Sequence, residues 1–172
     1  LYLPRARRTD FLLSLCNIGP LFHRASATMI HDAQVYSTPD SYSRPFRLWY
    51  KFAFSFIGRR HKVIFTVSEF SKKELVRYGI ASADKIVVIH NGCDHILKIQ
   101  PDDGLLAKLG LERGRYAVAL ANTQKHKNIA VLLQAFARPE LQDVPLVLFG
   151  GAGKADFESL GHVVPANVRF AG

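Results

Sequence analysis

Six short apolar runs, separated by segments with helical periodicity, most limit what this chain can fold into. Most of these runs are apolar at consecutive positions, which is typical of strands buried on both faces. Strands of this kind, alternating with helices, indicate an α/β fold with parallel strands and helices on each side of the sheet. The predicted strands cover residues 28–30, 63–67, 85–89, 116–120, 145–149 and 168–170.

The residues that begin and end helices can be recognised between these strands. Residues 71–74, Ser-Lys-Lys-Glu, have the spacing of a capping box, and Gly79 is a typical stop signal. Asn128 is a favourable N-cap for a helix that runs to about residue 137, and Pro139 prevents that helix from continuing.

Charge and cysteine content restrict the partners and the compartment. The 172 residues are 48% hydrophobic, enough to bury a core, and the formal net charge of +9 favours nucleotides, nucleic acid or an acidic membrane surface as partners. Cys16 and Cys93 lie far apart and in no C-x-x-C pattern, so neither a disulfide framework nor a zinc site is indicated. We therefore expect a reducing, cytoplasmic compartment.

Residues 44–60 mix aromatic side chains with five arginines and lysines. Such a segment can lie on an anionic membrane surface with its aromatic side down. Because Phe52, Phe54 and Phe56 do not share one face of a helix, we favour a helix that packs mainly in the core and carries a basic rim. Peripheral contact with the inner face of a membrane stays open as an alternative.

A polar loop, residues 122–128, joins the strand at 116–120 to the next helix. A strand, a loop rich in donors and a helix N-terminus form an arrangement that binds phosphate, because backbone N–H groups and the helix dipole both favour an anion there. Lys125 or Lys127 would neutralise a diphosphate. The alternative is that these lysines point into water, where high dielectric makes their repulsion small.

Three more stretches follow predicted strands. Gly150, Gly151 and Gly153 permit close approach of a ligand to the backbone, although the pattern is neither a dinucleotide fingerprint nor a Walker loop and a simple turn is the alternative. His31 lies where open α/β sheets place ligand contacts, with a purely structural histidine as the alternative. The pair Asn91-Gly92 is typical of a tight turn.

Taken in order, these segments resemble a known family. The chain reads TMIHD, a basic aromatic helix, VIFTVSEFSKKELVRYGI, KIVVIHNGCD, YAVALANTQKHKNIAVLLQAF and LVLFGGAG. The series is similar to that of the retaining, metal-independent glycosyltransferases of the GT-B fold, in the family 4 group that includes bacterial mannosyltransferases and sucrose and trehalose phosphate synthases. The resemblance covers nearly the whole chain, and the order and spacing of the motifs make it specific.

The resemblance implies two Rossmann-like domains with an active site in the cleft between them. Residues 1–93 would be the second part of the acceptor-side N-terminal domain, and residues 94–104 a linker. Residues 105–172 would be the first part of the nucleotide-sugar-binding C-terminal domain. Asn91 and Gly92 would mark the interdomain turn, and we expect a fragment that lacks both ends of the full protein.

The resemblance also assigns roles to single residues. His31 matches a histidine that faces the donor sugar, and Lys127 matches the lysine that binds the donor diphosphate. Residues 150–153 match a glycine-bearing loop on the donor side. No metal and no other cofactor is expected, because a cation and a helix terminus can stabilise the departing diphosphate.

The chain departs from the family pattern in two ways. Many members have Gly-Arg where this chain has Ala121-Asn122, so Asn122 keeps a hydrogen-bond donor but lacks the charge, part of which Lys125 or His126 would supply. The acidic pair on the donor-sugar side, two glutamates separated by seven residues, is expected beyond Gly172. We therefore predict that the isolated chain is inactive.

The predicted function is transfer of a hexose, with mannose as a candidate, from a nucleoside-diphosphate sugar to a glycan or lipid-linked acceptor. A basic module that binds nucleic acid or another anionic surface is one alternative, against which the scattered bases and the lack of a recognition motif argue. A GT-B relative such as a sugar-nucleotide epimerase, or an inactive scaffold, is another. A fragment with exposed strand edges is also expected to self-associate.

Overall fold

The computed structural model describes residues 10–100 and 102–172, which divide into two compact units. The first unit extends to His95, and the second begins at Ile96. Each unit contains one sheet in which all paired strands are parallel.

The first unit is built on four strands whose order in the sheet follows their order in the chain. The strands are β1 (Leu12–Ser14), β2 (Ser26–Met29), β3 (Val63–Thr66) and β4 (Ile86–Val88). The α-helices are α1 (Gln34–Ser37), α2 (Arg44–Arg60) and α3 (Glu69–Arg77), with short 3-10 helices at Pro39–Ser41, Ala83–Lys85 and Asp94–Lys98. Sequence periodicity predicted β2 to β4 but missed β1, an edge strand whose Leu13 is 55% exposed.

The second unit repeats this plan with three strands in chain order. The strands are β5 (Ala117–Leu120), β6 (Leu146–Phe149) and β7 (Val168–Phe170). The α-helices are α4 (Asp103–Lys108), α5 (Ile129–Phe136) and α6 (Lys154–Ser159), with 3-10 helices at Lys125–Lys127 and Pro139–Leu141. All three strands were predicted, and the core packs Leu133 and Phe136 of α5 and Phe157 of α6 against the sheet.

The residues buried among the described helices lie on one face of each sheet, but Ala27 and Val147 on the other face are only 1% and 5% exposed. The predicted burial of strands on both faces thus holds for β2 and β6, and helices on the second face stay a prediction. Parallel strands laid down in one direction place right-handed crossovers on the same face. Ile64 and Ile86, opposite each other in register, are buried among the helices, whereas Leu13 and Val87 on the other face are 55% and 45% exposed. In the second sheet the exposed side chains are those of Val118, Leu120 and Phe149.

The start of α3 differs from the predicted capping box. The helix begins at Glu69, and the hydroxyl of Ser68 accepts the N–H of Ser71 at 3.1 Å. Ser71 is therefore a buried residue of the first turn, and Glu74 pairs with Arg77 at 3.3 Å instead of reaching back to a cap. The Ser68 hydroxyl takes the cap because it lies three residues before the amide that it satisfies.

Gly79 ends α3 as predicted. Its φ of +65° lies in the left-handed region that glycine adopts without strain. The Gly79 N–H donates to the Val76 carbonyl and the Ile80 N–H to the Leu75 carbonyl, both at 2.9 Å, which is the Schellman pattern.

Asn91 and Gly92 lie in irregular backbone and not in the predicted tight turn, and their role at the crossing between domains stays a prediction. Residues 90–93 have no regular structure, and the φ of Gly92 is not in the left-handed region. The His90 ring instead donates from Nδ1 to the Val67 carbonyl at 3.1 Å, and the 3-10 helix Asp94–Lys98 follows. The predicted linker, 94–104, thus includes helical turns, and the domain roles on either side of it stay predictions.

Helix α2 has two apolar sides. Ala53, Phe54 and Ile57 are buried in the core, which confirms that this helix packs inward. The opposite side exposes Leu48, Trp49 and Phe52, which the prediction of a purely basic rim did not anticipate. In residues 10–100 and 102–172, no helix combines the length and the apolarity that crossing a bilayer requires.

A buried histidine ties three segments of the first unit together. His61, fully buried at the end of α2, receives the hydroxyl hydrogen of Thr28 at Nδ1 (2.8 Å) and donates from Nε2 to the Pro20 carbonyl (3.0 Å). The carbonyl can only accept, which fixes the proton on Nε2. Burial lowers the pKa of His61 and thereby favours the neutral ring that this arrangement needs. A Cβ on Gly19 would lie 2.4 Å from the Thr28 hydroxyl, so nothing larger fits beside it.

Two buried threonines lie on neighbouring strands. Loss of the hydroxyl should lower the free energy of unfolding at one of them and not at the other. Thr28→Val leaves Nδ1 of His61 buried without a donor, and we expect it to lower the free energy of unfolding by about 1–3 kcal/mol. Thr66→Val should be neutral or stabilising, because the Thr66 hydroxyl has no hydrogen-bond partner in the described part of the chain. Urea unfolding followed by the fluorescence of Trp49, the one tryptophan of the chain, measures both. Equal losses in the two variants would contradict the role given to His61.

Candidate functional site

The polar loop after β5 is held by the side chain of Asn122. Its Oδ1 accepts the N–H of Gln124 at 3.0 Å, and its Nδ2 donates to the Gln124 side-chain oxygen at 3.2 Å. This turn suits asparagine, whose amide reaches its own backbone two residues on. Asn122 therefore shapes the loop, and its predicted contact with a diphosphate stays a prediction.

The lysines of the loop precede α5 and do not belong to it. Residues 125–127 form a 3-10 turn of their own, which ends at Asn128 with φ 49° and ψ 39°. Asn128 is the N-cap residue of α5, as predicted, but its side chain makes no capping hydrogen bond to the helix. The left-handed backbone of Asn128 turns the chain into the helix instead, a conformation that asparagine tolerates better than most residues.

A cleft of about 320 Å³ opens between this loop and the region of α6. Asn122, Lys125 and the first turn of α5 form its polar side, where backbone N–H groups have no partner within the helix. Phe157 and His162 belong to its other side, and their ring centroids lie 6.4 Å apart. The cleft is lined by Asn122, Thr123, Gln124, Lys125, Asn128, Ile129, Ala130, Phe157, Leu160 and His162.

The two lysines of the 3-10 turn differ in whether they line this cleft. Lys125 lines it, whereas Lys127 is not among the described residues that do. A 3-10 helix has three residues per turn, so side chains two positions apart project to different sides. A cation, backbone amides and an adjoining aromatic surface can accommodate an anionic group attached to a planar or apolar one.

Sequence reasoning missed the α6 side of the cleft. Phe157, Leu160 and His162 have no motif around them, and only the spacing of Phe157 and Leu160 places these two residues on the same helical side. Their part in the cleft follows from the crossover that brings α6 next to α5, which periodicity within one segment does not show.

The glycine loop is joined to the polar loop by a backbone contact. Gly150 has a φ of +132°, and a Cβ there would lie 2.4 Å from the Ala121 carbonyl oxygen. The Ala121 N–H also donates to the Phe149 carbonyl at 2.8 Å. Gly150 is thus required where the ends of β5 and β6 meet, and it fixes the glycine loop beside Asn122.

The other two glycines of this loop have different surroundings. No heavy atom lies within 4 Å of a Cβ built on Gly151. The N–H of Gly153 donates to the carboxylate of Asp156 at 2.8 Å, at the start of α6. None of the three predicted glycines is among the described residues that line the cleft, so their contact with a ligand stays a prediction.

His31 lies in the first unit, directly after β2. Its backbone N–H donates to the side-chain oxygen of Asn17 at 2.9 Å, and its Nε2 donates to the Leu15 carbonyl at 3.1 Å. These bonds hold the half-buried ring against the loop that follows β1 and leave Nδ1 as the acceptor atom. A catalytic role for His31 stays a prediction.

The described residues offer no grouping of three or more His, Cys, Asp or Glu side chains that could hold a metal ion. The groups of the cleft suited to neutralising a diphosphate are therefore a lysine and backbone amides. That transfer needs no metal and no other cofactor stays a prediction.

Comparison with known proteins finds similarity to a glycosyltransferase family. A family model described as Glycosyltransferase Family 4 matches residues 11–96, which is half of the chain. Over 150 residues the chain is 30% identical to O-antigen chain mannosyltransferase B of Escherichia coli, and the match covers 80% of this chain and 39% of that protein.

Solved structures show the same fold. HepE of Anabaena in complex with UDP-glucose matches with a TM-score of 0.56 and 21% identity, over 84% of this chain and 41% of HepE. Its complex with UDP and glucose matches with the same TM-score and covers 40% of that chain. The chain thus spans about two fifths of the length of these relatives. The likeness confirms the predicted fold class, Rossmann-like parallel sheets as in GT-B glycosyltransferases.

Alanine at Gly150 should destabilise the second unit, whereas alanine at Gly151 should not. The added Cβ of Gly150→Ala would meet the Ala121 carbonyl at 2.4 Å, and at φ +132° alanine is also strained, so we expect a loss of about 1–3 kcal/mol. Gly151→Ala meets no atom within 4 Å and should stay within about 0.5 kcal/mol of the parent. Thermal unfolding followed by circular dichroism compares them, and equal stabilities would show that the contact is easily relieved.

Proposed function

Because the chain belongs to glycosyltransferase family 4, we propose that the intact protein transfers a hexose from a nucleoside-diphosphate sugar to a glycan or lipid-linked acceptor. Mannose is the first candidate for the sugar, supported by the name of the Escherichia coli relative. UDP-glucose bound to HepE supports a nucleoside-diphosphate sugar as the donor. We further propose that the anomeric configuration is retained.

The observation that carries this proposal is the cleft beside the carboxyl end of β5. Loss of a nucleoside diphosphate creates negative charge on the departing phosphates, and a transferase must stabilise that charge as it develops. Lys125 and the backbone amides at the start of α5 lie together at one side of the cleft, while the half-buried ring of His162, next to the buried Phe157, lies at the other. The diphosphate would occupy the first side and the base or the sugar the second.

The proposal assigns a role to each unit. The second unit would bind the nucleotide sugar through Lys127, Lys125 and Asn122, with the glycine loop next to them. The first unit would bind the acceptor and present His31 to the donor sugar. A sugar-nucleotide epimerase would need the same donor cleft and no acceptor, so products formed from a labelled donor distinguish it from a transferase.

Replacing either Lys125 or Lys127 with alanine should weaken diphosphate binding. Comparing the two losses of affinity tests the phosphate contact proposed for each lysine. We expect Lys127→Ala to weaken binding of UDP or GDP to the intact protein by about 1–3 kcal/mol, the size of a hydrogen bond to a charged group. Lys125→Ala should weaken it by a smaller amount, on the order of 1 kcal/mol, because the resemblance assigns the main phosphate contact to Lys127, and Lys125, which lines the cleft, would supply only part of the charge. Isothermal titration calorimetry measures both.

Lys108→Ala, on the exposed surface of α4, is the matched control and should leave diphosphate binding unchanged. Unchanged binding in Lys127→Ala together with a loss in Lys125→Ala would move the phosphate contact from Lys127 to Lys125. Unchanged binding in both variants would reject this cleft as the diphosphate site.

The 172-residue chain alone should not transfer sugar. It spans about two fifths of the length of its relatives, and a transferase needs groups on both the donor and the acceptor side. We expect no transfer of labelled hexose by the isolated chain under conditions where the intact protein is active. Transfer by the isolated chain would show that the donor site and the acceptor site are both complete within it.

A further inference from the structure

Helix α2 presents an apolar surface on the side that faces away from the core. Leu48, Trp49 and Phe52 are 67%, 49% and 53% exposed, and they recur with Phe56 at the three- and four-residue spacing of one helical side. Phe22, which is 78% exposed, adds a ring from the loop before β2. We call these five side chains the aromatic stripe.

The rings of the aromatic stripe touch one another in a row. Trp49 lies 6.0 Å from Phe52, Phe52 lies 5.6 Å from Phe56, and Phe56 meets Phe22 edge to face at 5.5 Å, measured between ring centroids. The result is one continuous apolar surface, because no polar side chain separates neighbouring rings. Contiguous apolar surface of this kind usually marks an interaction site.

Positive charge surrounds the aromatic stripe. Residues 41–68 contain no aspartate and no glutamate. The guanidinium of Arg60 lies 4.3 Å from the centre of the Phe56 ring, and Arg59 beside it is exposed. The cations of this segment are Arg44, Arg47, Lys51, Arg59, Arg60 and Lys62.

The fold itself does not account for the aromatic stripe. In an α/β domain the bare face of a parallel sheet is covered by further helices, which explains the exposure of Leu13 and Val87. The outer side of a helix that already packs on the sheet faces solvent and is ordinarily polar. Phe54 and Ile57 fill the inward side of α2, and the described residues leave Trp49 and Phe52 on its outward side about half exposed.

We propose that the aromatic stripe docks on the surface of an anionic lipid bilayer, with α2 lying in the plane of the membrane. Aromatic rings such as that of Trp49 partition to the boundary between headgroups and acyl chains, and nearby arginines bind the phosphates of anionic lipids. The length and charge of α2 suit a helix that lies on a bilayer.

The charge and the shape of the aromatic stripe disfavour two other partners, a second copy of this chain and a single-stranded nucleic acid. A second copy that docked through the same surface would bring two clusters of arginines together with no acidic residue of 41–68 to offset them. Single-stranded nucleic acid needs separated rings between which bases can stack, whereas these rings already contact each other. An anionic bilayer offers apolar acyl chains to the continuous apolar surface and lipid phosphates to the positive charges around it.

Flotation of the intact protein with vesicles tests this proposal, using phosphatidylcholine vesicles with and without phosphatidylglycerol. We expect binding that needs phosphatidylglycerol and weakens with salt. Arg59→Gln with Arg60→Gln should weaken it about 25-fold, from roughly fivefold for each basic residue near the surface. Trp49→Ser with Phe52→Ser should weaken it on the order of 10-fold or more.

Phe70→Ser and Lys73→Glu provide matched controls on α3, where Phe70 is 74% exposed and belongs to none of the ring contacts of the aromatic stripe. Both controls should bind vesicles like the parent, and circular dichroism should show every variant folded. Four outcomes would overturn the proposal: no vesicle binding, equal losses in stripe and control variants, a stripe-dependent dimer in place of vesicle binding, or stripe-dependent binding of single-stranded RNA without vesicle binding. Diphosphate titration of the same stripe variants should give the parent's affinity, so this test is independent of the donor-site proposal.

Discussion

Parallel pairing of short strands is the constraint on which both units depend. A parallel pair cannot be closed by a tight hairpin, so each pair of neighbouring strands requires a crossover, and helices supply most of these crossovers. All carboxyl ends of the strands then lie at one edge of the sheet. In the second unit this arrangement brings the loop after β5 against the loop after β6, where the Ala121 carbonyl leaves room for no side chain at Gly150.

The interior and the surface of each unit have different roles, because parallel pairing and its crossovers fix the interior first. Side chains between helices and sheet are mostly buried and apolar, and the largest polar exception is the Thr28–His61–Pro20 chain of hydrogen bonds, which joins a strand, a helix end and a loop. The aromatic stripe and the polar side of the cleft are built from residues outside these cores, whereas Ile129 and Phe157 belong both to the core and to the cleft lining. The lysines and the exposed rings can therefore be changed by mutation without removing a core side chain.

Much of the fold could be predicted from the sequence, because buried parallel strands leave a direct trace in it. Six of the seven strands coincide with the predicted runs, most of which are continuously apolar, and Gly79 ended α3 because a left-handed residue there satisfies the last carbonyls. The missed strand, β1, is at a sheet edge and partly exposed, so burial had not made its sequence uniformly apolar.

The details of the loops could not be predicted, since they depend on which of several nearby polar groups satisfies a given amide. Ser68 and Ser71 are both acceptable caps by type, and only the observed hydrogen bond distinguishes them. The motif placed Lys125 and Lys127 in the right loop, but a 3-10 turn decides which lysine faces the cleft. His162 reaches the cleft through tertiary packing, of which a single sequence carries no trace.

The order of the strands has a consequence for where a ligand crevice can open. In open α/β sheets the crevice lies where successive crossovers change direction, at a topological switch point. The described strands of each sheet are wound in one direction only, so neither sheet contains such a reversal within the described residues. A strand added on the free side of β5 would create one at the carboxyl end of β5. That is the position from which the loop of Asn122 and Lys125 emerges, so this loop would form one wall of the crevice.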